Sequence, residues 1–289
     1  MVPDGNWFTE IDEAGGTAFS LRLAERLHLE QSPYQKIEIL ETTRFGTLMV
    51  IDDYIMLSDR DNFLYHEMMS HPVLFSHPAP KRVVIIGGGD CGTLREVLRH
   101  PEVEHVLQVE IDERVTRLSE RFFPELCEAN DDPRAELYFG DGLAWMADAE
   151  SGSVDVVIVD STDPVGPAKG LFTEDFYRDV HRALGPDGLV VQQSESPLYH
   201  MHILAPMRRA MRAGGFSAVR TLCFPQPVYP SGWWSATMAG RGGEIAVARA
   251  AEAEQAPFET QYYSLDIHRA ALVAPPFVRR ALENADAGG

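Results

Sequence analysis

The junction between an apolar strand and a glycine-rich turn constrains this chain more than any other feature. Val83-Val84-Ile85-Ile86 runs straight into Gly87-Gly88-Gly89-Asp90-Cys91-Gly92. A continuous apolar run this short fits a strand covered on both faces, as in a parallel sheet. Gly87, Gly89 and Gly92 satisfy the spacing GxGxxG, and a helix is predicted near 92–99. A second strand, near 105–110, ends at Glu110, roughly 20 residues past the turn. Apolar runs recur at 135–139, Val154–Val159 and Leu189–Gln193, with helical stretches around 173–184 and 202–213. This βαβ rhythm predicts an α/β fold with a parallel sheet and right-handed crossovers.

The first 60 residues follow a different period. Phe19, Leu21 and Leu23 are spaced by two, Ile37 and Ile39 follow, and Leu48 and Val50 come after the turn at Phe45–Gly46. With no crossover helix between them, these runs read as a small antiparallel β unit. Two domains are therefore expected, a β domain at 1–60 and an α/β domain at 61–289. Phe63, Met68, Met69 and Val73 suit a helix that ends near Pro78–Pro80. The Met and aromatic residues at 68, 69, 122 and 123 are assigned to the core. From about residue 216 further strands are expected, broken by FPQPVYPSG, then a helix near 276–283 and a frayed NADAGG end.

Charge narrows the partners. The chain carries 25 Lys+Arg against 44 Asp+Glu, a net charge of −19. Nucleic acid and anionic membranes both demand a basic face, so neither is expected as a partner. A cleft lined by carboxylates would instead concentrate a cationic small molecule. Cys91, Cys127 and Cys223 are odd in number and contain no CxxC pair, which fits reduced thiols rather than a disulfide framework or a zinc cage. The start, MVPDGNWFTEIDE, has acids where a signal peptide needs basic residues. No stretch reaches the ~18 apolar residues of a membrane span. A cytoplasmic location is the expectation.

Acids gather where the predicted strands end. Asp90 lies in the glycine turn, Glu110 after the second strand, Asp141 and Gly142 after 135–139, and Asp160 and Asp163 after Val154–Val159. Ligands of open α/β sheets bind at these carboxyl ends. Glu110 is placed to hold a ribose hydroxyl pair, but a carboxylate at Asp90 would repel a pyrophosphate from the helix N-terminus. Either Asp90 merely caps the helix, or the ligand is adenosine-like at the ribose and positively charged near Asp90. The Asp160/Asp163 pair is likewise either a turn cap or part of a site for cationic nitrogens.

With these residues in place, the chain resembles the polyamine aminopropyltransferases, and spermidine synthases among them. The resemblance is carried in family order by YQKIEI (34–39), DRDNFLYHEM (59–68), VVIIGGGDCGTLREV (83–97), VEID (109–112), GDG (140–142), DSTDPVGP (160–167), PVYPSG (227–232) and YYSLDIHRAA (262–271). It implies an N-terminal β domain followed by a Rossmann-like, methyltransferase-type domain, assembled as a homodimer or homotetramer. It implies transfer of an aminopropyl group from decarboxylated S-adenosylmethionine to putrescine, giving spermidine and methylthioadenosine. No metal or other cofactor is called for. Carried over to this sequence, Glu110 would bind the ribose, and Asp141, with Gly142 beside it, would face the adenine amino group. Gln35 and the Pro167 backbone would complete the nucleoside pocket around the Gly87–Gly89 turn. Asp90 and Asp160 would hold the aminopropyl end. Tyr65, His66, Asp160 and Asp163 would line the polyamine channel, with Tyr229 on its wall and Gln193 and Glu195 near its distal end.

The chemistry asks for a base, because an alkylammonium has no lone pair and is almost fully protonated at neutral pH. Asp160 is the candidate, its basicity raised by neighbouring carboxylates, with the Tyr65 hydroxyl orienting the amine. Three positions depart from the family pattern: Cys91 stands where Gly is frequent, Trp233-Trp234 is bulkier than usual, and Asn62 replaces a frequent acid. Other acceptors (cadaverine, agmatine or spermidine) remain open, as do a small-molecule methyltransferase and a non-catalytic polyamine-binding relative. His66-Glu67 with His71 is HExxxH, whose imidazoles point about 140° apart on a helix, too far for a zinc pair. Ser161 sits in no GxSxG elbow. His200, His202, Arg208-Arg209 and Arg279-Arg280 are read as surface residues.

Overall fold

The computed structural model describes residues 6–13, 15–164 and 166–287. The alternating N-terminal segment forms five strands, β1 (Trp7–Asp12), β2 (Thr17–Gln31), β3 (Lys36–Thr42), β4 (Thr47–Ile51) and β5 (Tyr54–Ser58). Each pairs antiparallel with the next. Period-2 alternation gives this sheet two apolar faces. Ile37, Ile39, Met49 and Leu57 pack on Val115, Leu118 and Phe123 of the body, while Leu40, Leu48, Val50 and Ile55 gather with Val228.

The rest of the chain builds a seven-stranded sheet. Its strands are β6 (Arg82–Gly87), β7 (His105–Glu110), β8 (Ala135–Phe139), β9 (Val154–Asp160), β10 (Leu184–Gln193), β11 (Ala218–Pro225) and β12 (Trp233–Gly240), in the spatial order β11-β12-β10-β9-β6-β7-β8. The five strands from β8 to β10 are parallel. β12 is the exception to the expected parallel sheet, antiparallel to both β10 and β11. Only residues 226–232 join β11 to β12, too few for the crossover that a parallel pair requires. The Pro-rich segment is thus a hairpin connection.

Successive residues along the central strands face opposite layers. Val83, Ile85, Val106, Val156, Ile158 and Val191 meet helices α1 (Asn62–Ser76) and α2 (Gly92–Leu98). Val84, Ile86, Val109, Val157, Val159 and Val190 meet the other layer. That layer includes α4 (Gly142–Asp148), α5 (Glu174–Ala183), α6 (Met201–Ala213) and α9 (Pro276–Ala287). α3 (Glu113–Phe122), α4, α7 (Ala250–Glu254) and α8 (Leu265–Ala271) were not expected from periodicity. Met68, Met69 and Phe123 are buried, as their apolar spacing requires.

Three expectations are corrected. Arg208 is not a solvated helix end: it is buried, donates to Thr221 Oγ1 at 3.0 Å and pairs with Asp286 at 2.7 Å. For the same reason NADAGG does not fray from its start, since α9 continues to Ala287 and Asp286 also pairs with Arg212. Gly288 and Gly289 lie outside the described residues. His200 is likewise buried, between two carboxylates, whereas His202 is exposed.

The chain departs to opposite sides of β6, with β7 on one flank and β9 on the other. Gly87 pairs in register with Asp160, so the glycine turn and the end of β9 lie side by side at this switch point, where ligands of such sheets bind.

Candidate active site

The turn after β6 is shaped by what it must approach. Gly87 has φ +84°, and a Cβ there would lie 2.2 Å from the Asp160 carbonyl oxygen. At Gly89 a Cβ would meet the Glu110 carboxylate at 2.8 Å, so glycine leaves that acid open. Cys91 adopts φ +68°, the left-handed region that glycine enters without strain. Its buried thiol accepts a contact from Gln108 Nε2 at 3.7 Å.

The helix N-cap is Cys91, not Asp90; Asp90, one residue earlier, accepts the Gly92 N–H at 2.7 Å and faces His66 Nε2 at 3.3 Å. Burial pushes the Asp90 carboxyl up, but the His66 imidazole and the Gly92 amide outweigh it and hold it below the usual range. Burial works the other way on His66, and Asp90 again prevails, raising its pKa. His66 is therefore a buried partner of Asp90 on α1.

Asp160 ends β9 with both carboxylate oxygens engaged. Tyr65 OH donates to Oδ1 at 2.7 Å and Thr93 Oγ1 donates to Oδ2 at 2.6 Å. Burial and the negative charge of Asp90 raise its pKa, against the opposing pull of His66, Thr93 and Tyr65. The Tyr65 phenol is itself pushed well up by burial and by Asp160, so it stays a proton donor. Tyr229 stands edge-on to Tyr65 at 5.9 Å and donates to the Met56 carbonyl of β5. Trp234 packs on Tyr229 at 4.7 Å, behind it, while Trp233 turns to Phe277.

Glu110 accepts the Asp112 N–H at 2.8 Å and is raised to about 7 by burial, then by Asp112, Asp160 and Asp90. Asp112 in turn receives Ser32 Oγ at 2.6 Å and Gln35 Nε2 at 3.0 Å, which brings Gln35 beside the end of β7. Asp141 caps α4 through one carboxylate oxygen, accepting Leu143 N–H at 2.8 Å. Gly142 is buried against β6, where a Cβ would lie 2.6 Å from the Ile86 side chain. Pro167 lies in a 3-10 turn, Gly166–Phe172, and its side chain is outside the described residues.

The distal group converges as well. Burial and the adjacent Glu195 carboxyl push the Asp163 carboxyl well above the usual range. Glu195 is fully buried at φ +68°, and its N–H donates to Gln193 Oε1 at 3.2 Å. His200 bridges Glu195 Oε2 at 2.8 Å and Asp12 Oδ2 at 3.1 Å, joining β10's end to the β1–β2 turn. Glu10 and Asp12 line a cavity of about 320 Å³ with Phe19, Tyr199, Tyr229 and Pro230. Burial raises Glu10 to about 7. Sequence reasoning missed Thr93, Glu10, Asp12 and His200. Only Thr93 carried a local signal, directly following the third glycine of the turn.

Asn62, which stands where an acid is frequent, donates from Nδ2 to the Ser58 and Asp59 carbonyls. Glu67 and His71 do not join His66. Glu67 accepts the N–H groups of Gln261, Tyr262 and Tyr263 at 2.7–2.9 Å, and His71 faces Glu96 at 3.2 Å. Among the described residues no group of three or more His, Cys, Asp or Glu is arranged around a metal position, and no helix is long and apolar enough to cross a membrane.

Comparison with known proteins agrees with this geometry. Residues 62–247 match the family described as "Spermine/spermidine synthase domain", and residues 6–59 match "Spermidine synthase tetramerisation domain". The chain is 63% identical over 283 residues to a polyamine aminopropyltransferase of Thioalkalivibrio sulfidiphilus, covering 98% of this chain and 99% of that protein. It is 63% identical over 282 residues to one of Methylococcus capsulatus, with the same coverage. A crystal structure of spermidine synthase in complex with the transition-state analogue AdoDATO superposes with a TM-score of 0.92 at 32% identity, covering 98% of this chain and 96% of the other. Spermidine synthase from Thermotoga maritima superposes with a TM-score of 0.91, also at 32% identity and with the same coverage. A glycine turn flanked by Asp90, Glu110 and Asp160, on a sheet of this order with this N-terminal β unit, belongs to the polyamine aminopropyltransferases, and this chain is a member of that enzyme family.

Proposed function

We propose that the chain transfers the aminopropyl group of decarboxylated S-adenosylmethionine to putrescine, releasing spermidine and methylthioadenosine. The carrying observation is the pair of carboxylates at the switch point. Asp90 is tied to the helix start, and Asp160 is raised in pKa while hydrogen-bonded to Tyr65 and Thr93. The acceptor ammonium gives a proton to Asp160, and its freed lone pair attacks the carbon next to the sulfonium. The C–S bond breaks with its electrons on sulfur, leaving a neutral thioether. A raised carboxylate pKa suits this role, since a base is most effective when its pKa approaches the working pH. Glu110 holds the ribose, Asp141 and Gln35 flank the base, and the Asp163–Glu195 pair receives the far ammonium. Holding amine and sulfonium in line in a dry pocket supplies much of the acceleration.

Putrescine is the acceptor this reading favours. The Glu10/Asp12 cavity beyond Tyr229 keeps a longer or more charged acceptor in play. A methylene or two changes discrimination by only ~1–3 kcal/mol. The same reading takes 1–60 and 61–289 as two domains, working in the cytoplasm as a homodimer or homotetramer. Exposed Trp7, Leu27 and Leu29 on β1 and β2 support assembly through the N-terminal sheet. Light scattering measures that state directly.

The test is a product assay by mass spectrometry. Protein is given decarboxylated S-adenosylmethionine with putrescine, cadaverine, agmatine or spermidine in parallel, and intact S-adenosylmethionine as control. Methylthioadenosine with spermidine, strongest for putrescine, is the expected result. Absence of methylthioadenosine with every amine would overturn the reading.

A further inference from the structure

Two consecutive residues at the start of α2 hold the two central carboxylates. Gly92 gives its backbone N–H to Asp90, and Thr93 gives its hydroxyl to Asp160. Thr93 is fully buried, and an ionised carboxylate can only accept, so the hydroxyl's single proton points to Oδ2. Tyr65 occupies Oδ1 from the opposite element, α1. Asp160 is thus pinned by one donor on each oxygen, at a position crowded by the Asp90 charge.

We propose that Thr93 is a positioning residue for proton transfer: its hydroxyl fixes the rotation of the Asp160 carboxylate and holds it ionised, so that a free lone pair faces the acceptor amine. The proposal rests on the reading of Asp160 as the base. Hydrogen bonds to a charged group are the stronger class, and each one stabilises the ionised form. A threonine is suited to this because its methyl fills the buried space while its oxygen reaches the strand end. Valine keeps that shape and lacks the proton.

The experiment compares Thr93→Val, Thr93→Ala and Thr93→Ser across pH, with methylthioadenosine binding by calorimetry as a check on the fold. In Thr93→Val kcat falls ~10- to 100-fold while the KM for the nucleoside substrate stays within about twofold. The acid limb of the kcat profile moves up by about 1 to 2 pH units, because the ionised carboxylate has lost a donor. Tyr65 and His66 of α1, Asp90 of the turn, Glu110 of β7 and Tyr229 of the hairpin also face Asp160 and are unchanged in these variants. Thr93→Ser restores both rate and limb. If Thr93→Val cannot bind methylthioadenosine, Thr93→Ala carries the same expectation. An unmoved acid limb, or a loss that serine does not rescue, overturns the proposal and leaves Thr93 a packing residue. Asp160→Asn, run alongside, separates the two ideas: full turnover there removes the base assignment itself.

Discussion

Glu110 offers a sharp test of the nucleoside half of the site, because the raised carboxyl must ionise before it can accept two ribose hydroxyls. In the empty protein its pKa is raised from 4.5 to about 7, chiefly by burial and then by Asp112, Asp160 and Asp90. Methylthioadenosine is uncharged, so it gains nothing from the charge of Asp90 or Asp160, and its binding isolates this group. If only the ionised form binds, the apparent Kd scales inversely with the ionised fraction, and affinity falls ~100-fold between pH 8 and pH 5. Binding below pH 7 then releases about one proton, visible in calorimetry as a dependence on the buffer's ionisation heat. Glu110→Gln should bind ~10- to 100-fold more weakly at pH 8, the cost of losing a charged acceptor, and its affinity should be flat with pH. The same shift has an opposite sign for the empty fold. A carboxyl whose folded pKa is raised contributes stability fully below pH 4.5 and loses it as pH rises through 7, here about 3 kcal/mol. Wild-type affinity that is flat from pH 5 to 8, or a pH slope that survives Glu110→Gln, refutes the reasoning.

The remaining expectations are simpler. Asp160→Asn loses ~10²- to 10⁴-fold in kcat while methylthioadenosine binding is retained; undiminished single-turnover chemistry would sink the base assignment. Arg208→Met removes a buried cation from the Asp286 pair and should destabilise by about 3 kcal/mol, read as a lower denaturation midpoint with earlier proteolysis of α9. Glu67→Ala strips the acceptor from three backbone N–H groups and should destabilise by ~3 kcal/mol with the KM for either substrate unchanged. A shift in acceptor KM in that variant would tie the 261–263 segment to the channel.

The strand ends were legible because composition and topology obey the same rule. Valine-rich runs covered on both faces end at the sheet's carboxyl edge, so Asp90, Glu110 and Asp160 could be grouped before any coordinates. Gly92 illustrates the limit. The spacing marks it as a turn glycine, but only the structure shows why it tolerates no side chain: a Cβ would lie 2.2 Å from the His66 ring. The hydroxyl of Thr93 was invisible because its aim depends on the helical phase of α2, set by the left-handed residue before it. His200 and Arg208 were misread for one reason. Each is polar, and the carboxylate that permits its burial lies far away in sequence, at Asp12 and Asp286. The reversal of β12 was legible only through its connection: its own residues pack the same way in either direction, but residues 226–232 are too few for a parallel crossover. α3 is half charged, yet Val115, Leu118 and Phe122 fall at i, i+3 and i+7, a helical stripe that the sequence does carry.

The five-stranded sheet is clipped to the body at both extremities of the site. Ser32 and Gln35 hold Asp112 beside Glu110, and Asp12 holds His200 beside Glu195. The two clips separate labour along the chain. On the proposed reading, the groups at the sulfonium come from strand ends of one sheet, while Glu10 and Asp12, which line the cavity beside Tyr229, come from a hairpin near the N-terminus. On that reading, substitutions at Glu10 or Asp12 act first on the acceptor end, since Asp90 and Asp160 take their hydrogen bonds from α1 and α2 instead.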